Sequence, residues 1–204
     1  MNKDPRRFAP ATARNRVPIL SVLKCHLPSR GLVLEIASGS GEHATFFAQS
    51  LGPNLVFQPS DPDASARAST DAWTAALGLT NVSPAIELDA TARTWPVRAA
   101  DAVLAINMVH ISPWAATEGL VRGAAGILPA GGVLFLYGPY RRDGRHTAPS
   151  NETFDLDLRS RNREWGVRDL EAVTALAMSV GFGTPIVEQM PANNLSVVFP
   201  RLSN

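Results

Sequence analysis

The sequence predicts an α/β protein built on a Rossmann-like, doubly wound sheet of seven strands, mostly parallel and ending in an antiparallel hairpin. Three observations support this prediction. Apolar runs typical of strands alternate with helix-like segments five times before residue 140. A glycine-rich loop follows the first of these runs. Two final apolar runs are joined by Pro191-Ala192-Asn193-Asn194, a spacing that suits a hairpin.

The composition fits a single domain covering residues 1–204. Of the 204 residues, 45% are hydrophobic, which is enough for a sizeable core. The formal net charge of +1 gives no overall attraction to nucleic acid or to a membrane, so neither is expected as a partner. Cys25 is the only cysteine, and no apolar run is long enough to span a bilayer. We therefore expect a cytoplasmic protein, and the oligomeric state stays open.

An N-terminal helical cap, residues 1–30, is expected ahead of the first strand. Three leucines at helical spacing predict a helix from residue 11 to residue 27: Leu20, Leu23 and Leu27. A helix at this point of the chain can cover a ligand cleft, and Arg14 and Asn15 would then reach a substrate. A helix that only packs, with solvated arginines, explains the same pattern.

The first strand, residues 32–36, leads into the loop Ala37-Ser38-Gly39-Ser40-Gly41 and then into a helix that extends to Leu51. Gly39, Gly41 and Ala44 satisfy the dinucleotide-binding pattern G-x-G-x-x-A. Glycines are needed where a loop turns sharply and a ligand lies against bare backbone. The stretch therefore predicts a nucleotide-type ligand, and a glycine loop that binds nothing is the alternative.

Glu35 discriminates between the ligands that such a loop can hold. Its carboxylate stands just before the loop, where it would repel the pyrophosphate of a nicotinamide dinucleotide. S-adenosylmethionine (SAM) instead carries a sulfonium and an ammonium group, and a carboxylate attracts both. The sequence therefore favours SAM as the cofactor, with S-adenosyl-L-homocysteine (SAH) as its product.

Asp61 follows the second strand, residues 55–58, and lies twenty residues beyond Gly41. An acid at this distance hydrogen-bonds the ribose hydroxyls of adenosine, which SAM and nicotinamide dinucleotides share. The alternative is a helix cap, because Asp61 or Asp63 could begin the helix expected over residues 64–77.

The third and fourth strands, residues 82–88 and 101–106, also lead into polar residues. Asp89 follows the third strand, where an acid can accept a hydrogen bond from an adenine amino group. The fourth strand is strongly apolar, as expected for a strand buried in a parallel sheet. A helix from the Ser112-Pro113 cap to Leu128 and a fifth strand over residues 133–137 follow.

Residues 138–166 form one long polar stretch, expected to be an irregular loop or insertion on the substrate side. Its arginines are interleaved with acids, which favours a solvated, charge-balanced face over a nucleic-acid groove. A sixth helix over residues 167–180 and two strands, residues 185–190 and 195–200, complete the chain.

These features resemble class I SAM-dependent methyltransferases, and more narrowly the methyltransferase-like protein 26 family, a domain of unknown function. The matching stretches span nearly the whole chain: RNRVPIL (14–20), LEIASGSGEHATFFA (34–48), QPSDPD (58–63), NMVHISPW (107–114), YGPY (137–140), SNETFD (150–155), WGVRD (165–169) and MPANN (190–194).

The resemblance implies roles for individual residues. The methionine part of SAM would be held by Glu35, Ala37, Ser38, Gly39 and Gly41, with His43 beside the cofactor at the helix start. Asp61 would bind the ribose, Asp89 and Ala90 the adenine, and Asn107 and Met108 would line the floor. Ala37 departs from the glycine that many methyltransferases have there, which is expected to require a negative φ at this residue.

The acceptor site is expected beyond the fourth strand. His110 lies near where an acceptor would sit, and an imidazole titrates near neutral pH, so it is the candidate for a base or an orienting group. A histidine that satisfies local backbone is the alternative. Tyr140 is a second catalytic candidate. The substrate contacts are expected among Arg14, Asn15, His110, Tyr140, His146 and Asn151.

Methyl transfer to a small-molecule acceptor is therefore the expected activity. Asn107-Met108-Val109-His110 differs from the Asn/Asp-Pro-Pro-Tyr/Phe run of enzymes that methylate amino groups of bases. Tyr137-Gly138 offers no set of oxygen ligands, so no metal is expected. A nicotinamide oxidoreductase of Rossmann type stays an alternative, weakened because no Tyr-x-x-x-Lys pattern is present. A non-catalytic SAM-binding module is the second alternative.

Overall fold

The computed structural model describes residues 4–203, which form six α-helices and nine β-strands. The helices are α1 (Pro10–His26), α2 (Glu42–Leu51), α3 (Ala64–Leu77), α4 (Trp114–Ile127), α5 (Pro149–Arg161) and α6 (Leu170–Ser179). The strands are β1 (Gly31–Ile36), β2 (Leu55–Ser60), β3 (Ala102–Ile106), β4 (Val133–Gly138), β5 (Tyr140–Arg142), β6 (Arg145–His146), β7 (Arg168–Asp169), β8 (Ile186–Met190) and β9 (Asn194–Pro200).

The main sheet contains six strands in the order β2-β1-β3-β4-β9-β8. The first four are parallel neighbours, whereas β9 runs antiparallel to both β4 and β8. The prediction of an α/β, Rossmann-like and mostly parallel sheet with a C-terminal hairpin is confirmed. The predicted number of seven strands is wrong.

Residues 82–88, predicted as the third strand, form only two isolated bridges with β2. Two prolines interrupt the ladder, because Pro59 in β2 and Pro84 beside it have no N–H group to donate. The Ala85 N–H instead donates to Asp71 Oδ1 at 2.8 Å. The segment therefore follows β2 without becoming a regular strand.

Residues 138–166, predicted as irregular, contain α5 and the strands β5 and β6, which join β7 in a second, three-stranded sheet. The residues that α5 buries are Asn151, Asp155 and Leu158. Their spacing is helical, but two of the three are polar, so the apolar periodicity that predicts a helix is missing. The pairing of β7 with β5 also explains why α6 begins only at Leu170 and not at residue 167.

Both faces of the main sheet are buried. One face packs against α4 and α6, with Leu34 and Leu136 among its side chains, and the other packs against α1 and α2, with Val33 and Phe135. Successive side chains of a strand point to opposite faces, so each central strand contributes to both layers of the core. None of the helices in the described range has the length and apolar character needed to cross a bilayer.

Candidate functional site

A cavity of about 520 Å³ lies at the carboxyl ends of β1, β2 and β3, and we call it the strand-end cavity. Seven of the predicted cofactor residues line it: Ala37, Gly39, Asp61, Asp89, Ala90, Asn107 and Met108. The other four predicted cofactor residues are not on its wall: Glu35, Ser38, Gly41 and His43. The volume is that of a small-molecule site.

The glycine loop is fixed by α3. Gly41 has φ of +83°, and a Cβ at this position would lie 2.5 Å from the Cα of Thr70. The Ser69 hydroxyl donates to the Ser40 carbonyl at 2.7 Å. Gly41 is thus required by helix packing and by its positive φ, while Gly39, with φ of +59°, is the loop glycine that reaches the cavity.

Ala37 has φ of +56°, in the left-handed region. The expectation that an alanine here needs a negative φ is therefore wrong. The left-handed conformation costs an L-residue on the order of 1 kcal/mol. Asn107, which follows the neighbouring strand β3, also has a positive φ of +60°. Two non-glycine residues with left-handed backbone thus border the cavity, and such strain is typical of ligand sites.

Asp61 is buried and its carboxylate is oriented by two backbone amides. Oδ2 accepts the Gly39 N–H at 3.0 Å, and Oδ1 accepts the Asp63 N–H at 2.9 Å. The cap of α3 is Asp63, which accepts the Ser65 N–H at 2.8 Å. Asp61 therefore presents a preoriented acceptor at the cavity wall and is not the helix cap.

Glu35 is only 2% exposed, and its Oε2 atom has no hydrogen-bond partner within residues 4–203. Burial raises the pKa of this carboxyl to about 8, a hydrogen bond from Ser38 opposes the increase, and the charge of Asp61 adds to it. The carboxyl lies behind the loop and not on the cavity wall. It is therefore protonated near neutral pH unless a nearby cation favours its ionised form.

Asn15 and His43 bind each other. The distance from His43 Nε2 to Asn15 Oδ1 is 2.8 Å, and both residues are buried. An amide oxygen only accepts, so Nε2 carries the hydrogen. Burial lowers the pKa of His43 to about 4, and the charge of Arg16 adds to this effect. The pair ties α1 to α2, whereas Arg14, the other predicted substrate contact on α1, is exposed.

His110 and Tyr140, the two catalytic candidates, are buried side chains that do not line the strand-end cavity. The His110 ring lies against Gly138, where a Cβ would be 2.5 Å from Cε1, and packs edge-on to Phe154 with centroids 5.5 Å apart. Burial lowers the pKa of His110 to about 3, with a contribution from the Arg168 charge. Burial also raises the pKa of Tyr140, whose hydroxyl has no partner within residues 4–203.

The remaining predicted substrate residues, Asn151 and His146, hold the 138–166 insertion together. Asn151 Nδ2 donates to Thr147 Oγ1 and to the Asn193 carbonyl, both at 3.0 Å, so it connects α5 to the turn between β8 and β9. His146 Nε2 is 3.6 Å from Asp155 Oδ2. Neither residue lines the strand-end cavity.

Arg168 is a site-supporting residue that the sequence did not indicate. Its guanidinium donates to the carbonyls of Val109 at 3.3 Å, Ser112 at 2.7 Å and Glu164 at 2.6 Å. These bonds fix the segment that follows β3, part of which lines the cavity. Sequence reasoning also missed other wall residues, several of which stand beside a predicted strand end: Ile36, Pro62, Leu88, Thr91, Ile106, Ile111, Ser112, Pro113 and Ala116.

The wall chemistry limits what the strand-end cavity can hold. Among the described residues, its lining includes the carboxylates of Asp61 and Asp89 and no basic side chain. Hydrophobic neighbours such as Leu88 and Met108 complete the wall. This combination suits a ligand with hydroxyl and amino donors and a flat apolar ring, and it disfavours a diphosphate. Residues 4–203 contain no group of three His, Cys, Asp or Glu placed to hold a metal.

Comparison with known proteins adds a family and a fold. The model of a family described as "Protein of unknown function (DUF938)" matches residues 6–201. The chain is similar to an O-methyltransferase family protein from Burkholderia thailandensis, with a TM-score of 0.80 and 20% identity, over 95% of this chain and 58% of that one. It is also similar to human N-acetylserotonin methyltransferase in complex with SAM, with a TM-score of 0.77 and 14% identity, over 95% and 53% of the chains.

A third similar structure is an O-methyltransferase family 2 protein from Planctomyces limnophilus in complex with apigenin, with a TM-score of 0.78 and 18% identity. The match covers 94% of this chain and 58% of that one. The chain thus spans a little over half the length of these three structures. At these identities the similarity shows the fold, which is the Rossmann-like fold of SAM-dependent methyltransferases.

Proposed function

This chain belongs to the family described as protein of unknown function (DUF938), so its activity has to be inferred from its site. We propose that it is a SAM-dependent methyltransferase that acts on a small-molecule acceptor. The proposal includes the narrower kinship with the methyltransferase-like protein 26 family, a cytoplasmic location and no nucleic-acid substrate. The apigenin complex of a similar fold supports an acceptor of small-molecule size.

The charge of the strand-end cavity is the observation that carries this proposal. Two carboxylates line the cavity, and Glu35 lies buried behind the glycine loop with an unpartnered oxygen. A cationic cofactor gains from the two wall carboxylates and favours ionisation of Glu35, whereas the diphosphate of a nicotinamide dinucleotide would meet two carboxylates and no basic side chain on the described wall. The residues therefore fit SAM.

In this proposal, each of the residues at the cavity has a separate role in holding the cofactor. Asp61 accepts hydrogen bonds from the ribose hydroxyls, and Asp89 and Ala90 contact the adenine. Asn107 and Met108 form the floor, and Arg168 keeps the adjoining segment in place by binding three carbonyls. SAM supplies an electrophilic methyl group, and the protein contributes alignment of the acceptor and exclusion of water.

Calorimetric titration with SAM, SAH and NADH tests the cofactor. We expect SAM and SAH to bind and NADH to give no heat, because only the first two lack a diphosphate. Tight NADH binding without SAM binding would contradict the proposal. A screen of metabolite extracts with methyl-labelled SAM then asks which compound gains the label. SAM binding with no labelled product in any extract would favour a non-catalytic SAM-binding module.

Replacing His110 with glutamine is expected to lower turnover about 100-fold while SAH affinity changes less than about threefold. The small change in SAH affinity follows from position, since His110 does not line the strand-end cavity. The loss of turnover follows from the proposed role of its ring in orienting the acceptor. Its pKa of about 3 keeps the ring neutral, so we expect no titration of this residue in the rate profile between pH 5 and 8.

The control for His110→Gln is the same change at His26, the last residue of α1. His26 Nε2 lies 3.7 Å from Glu188 Oε1. His26→Gln should leave both turnover and SAH affinity unchanged. Thermal melting of both variants checks that they fold. Turnover of His110→Gln close to wild type would remove His110 from the proposed mechanism.

A further inference from the structure

A second cavity of about 600 Å³ lies between α4 and the loop that follows Ala90. Three arginines, a tryptophan and two threonines are among its lining residues, and we call it the arginine cavity: Arg93, Arg98, Arg122, Trp95, Thr91 and Thr94. Only Thr91 also lines the strand-end cavity, and none of the three arginines does. The arginine cavity is therefore a separate site.

The shape of this cavity is set by glycines of α4. A Cβ on Gly119 would overlap the Ala90 carbonyl, and a Cβ on Gly123 would overlap the Trp95 ring. The loop thus packs directly on the helix backbone, and the two walls cannot move apart or be filled without disrupting this contact. The concave shape is therefore fixed by the packing of the loop against α4.

The polar groups of the arginine cavity are almost all donors. None of its three arginines forms an ion pair or a side-chain hydrogen bond with another residue of the 4–203 range, and no carboxylate lines the cavity in that range. Asp89, the nearest acid of the loop, accepts from the Thr91 N–H and hydroxyl, both at 2.8 Å. Glu118, one turn before Arg122 on α4, is not among the lining residues.

Trp95 adds a buried donor. It is 6% exposed, and its Nε1 has no hydrogen-bond acceptor among the described residues. A buried N–H without an acceptor is uncommon and points to a missing partner. Three guanidinium groups on one concave surface, with the Trp95 side chain in its wall, are complementary to a ligand that carries several anionic oxygens.

We propose that the arginine cavity binds a small ligand with two adjacent anionic groups, such as a diphosphate or a dicarboxylate. Guanidinium groups pair with both types of oxygen through two parallel hydrogen bonds. Three of them on one cavity match a dianion better than a single carboxylate. This proposal does not rest on the methyltransferase activity, because it uses none of the groups assigned to the cofactor.

Titration calorimetry at low ionic strength with inorganic pyrophosphate and with succinate tests this site. It also shows whether the site prefers a diphosphate or a dicarboxylate. We expect at least one of them to bind, and binding to weaken as salt is added. The double variant Arg93→Ala/Arg122→Ala should weaken that binding about 100-fold, roughly tenfold for each lost charged hydrogen-bonding group.

Arg142→Ala/Arg163→Ala, which removes two exposed arginines of the insertion, serves as the matched control and should bind like the wild type. All substituted arginines are exposed, so the variants should fold, and thermal melting verifies this. Failure of both anions to bind the wild type would overturn the proposal. Undiminished binding to Arg93→Ala/Arg122→Ala would overturn it as well, because the anion would then occupy another site.

Discussion

Replacing Asp61 with alanine is expected to weaken SAM and SAH binding by about 100- to 1,000-fold. The variant loses an ionised acceptor for two ribose hydroxyls, and hydrogen bonds to charged groups are worth about 1.5–3 kcal/mol each. It also leaves the Gly39 N–H without its acceptor at 3.0 Å, which loosens the loop that borders the cavity. Titration calorimetry with SAH measures the loss directly.

Asp63→Ala is the matched control for Asp61→Ala, because Asp63 is the exposed acid that caps α3 and pairs with Arg7 at 3.1 Å. Losing the cap should reduce the free energy of unfolding by about 1 kcal/mol and leave SAH affinity nearly unchanged. If Asp61→Ala kept SAH affinity within tenfold of the wild type, the assignment of Asp61 to the ribose would be wrong.

Replacing Glu35 with glutamine is expected to stabilise the protein at pH 8.5 and to have little effect on stability at pH 4.5. The folded pKa is raised to about 8 from an ordinary 4.5, so the folded protein retains a proton that the unfolded chain releases. The associated stability is complete below pH 4.5 and is lost as the pH rises through 8. A neutral glutamine avoids this loss, which is about 5 kcal/mol.

Urea unfolding at pH 4.5, 6.5 and 8.5 measures the effect, with the exposed Glu152→Gln as the control. Parallel pH curves for wild type and Glu35→Gln would show that Glu35 is not buried in its protonated form. If the proposed function is correct, SAM binding near pH 7 should also release a proton from the wild type and not from Glu35→Gln. Calorimetry in two buffers of different ionisation enthalpy detects that proton.

The structure brings together those predicted site residues that follow the ends of strands. The carboxyl ends of parallel strands share one edge of the sheet, so residues just after β1, β2 and β3 had to meet, and Ala37, Asp61 and Asn107 do. For the residues predicted to contact the acceptor, the sequence did not indicate where they would lie in the fold. Asn151 and His146 lie in an insertion whose helix buries polar side chains, a pattern that hydrophobic periodicity does not detect.

Local chemistry of the chain was enough to predict most helices and strands of the main sheet, the glycine loop and the acids that follow the strands, but not α5 or the strands of the second sheet. Apolar spacing, glycine and proline report on backbone geometry within a few residues, which is the range over which these features are set. Tertiary structure alone decided which polar groups are buried and what they contact. The protonation of Glu35 and the pairing of Asn15 with His43 depend on residues brought together from distant parts of the chain, since desolvation is a property of the surrounding packing.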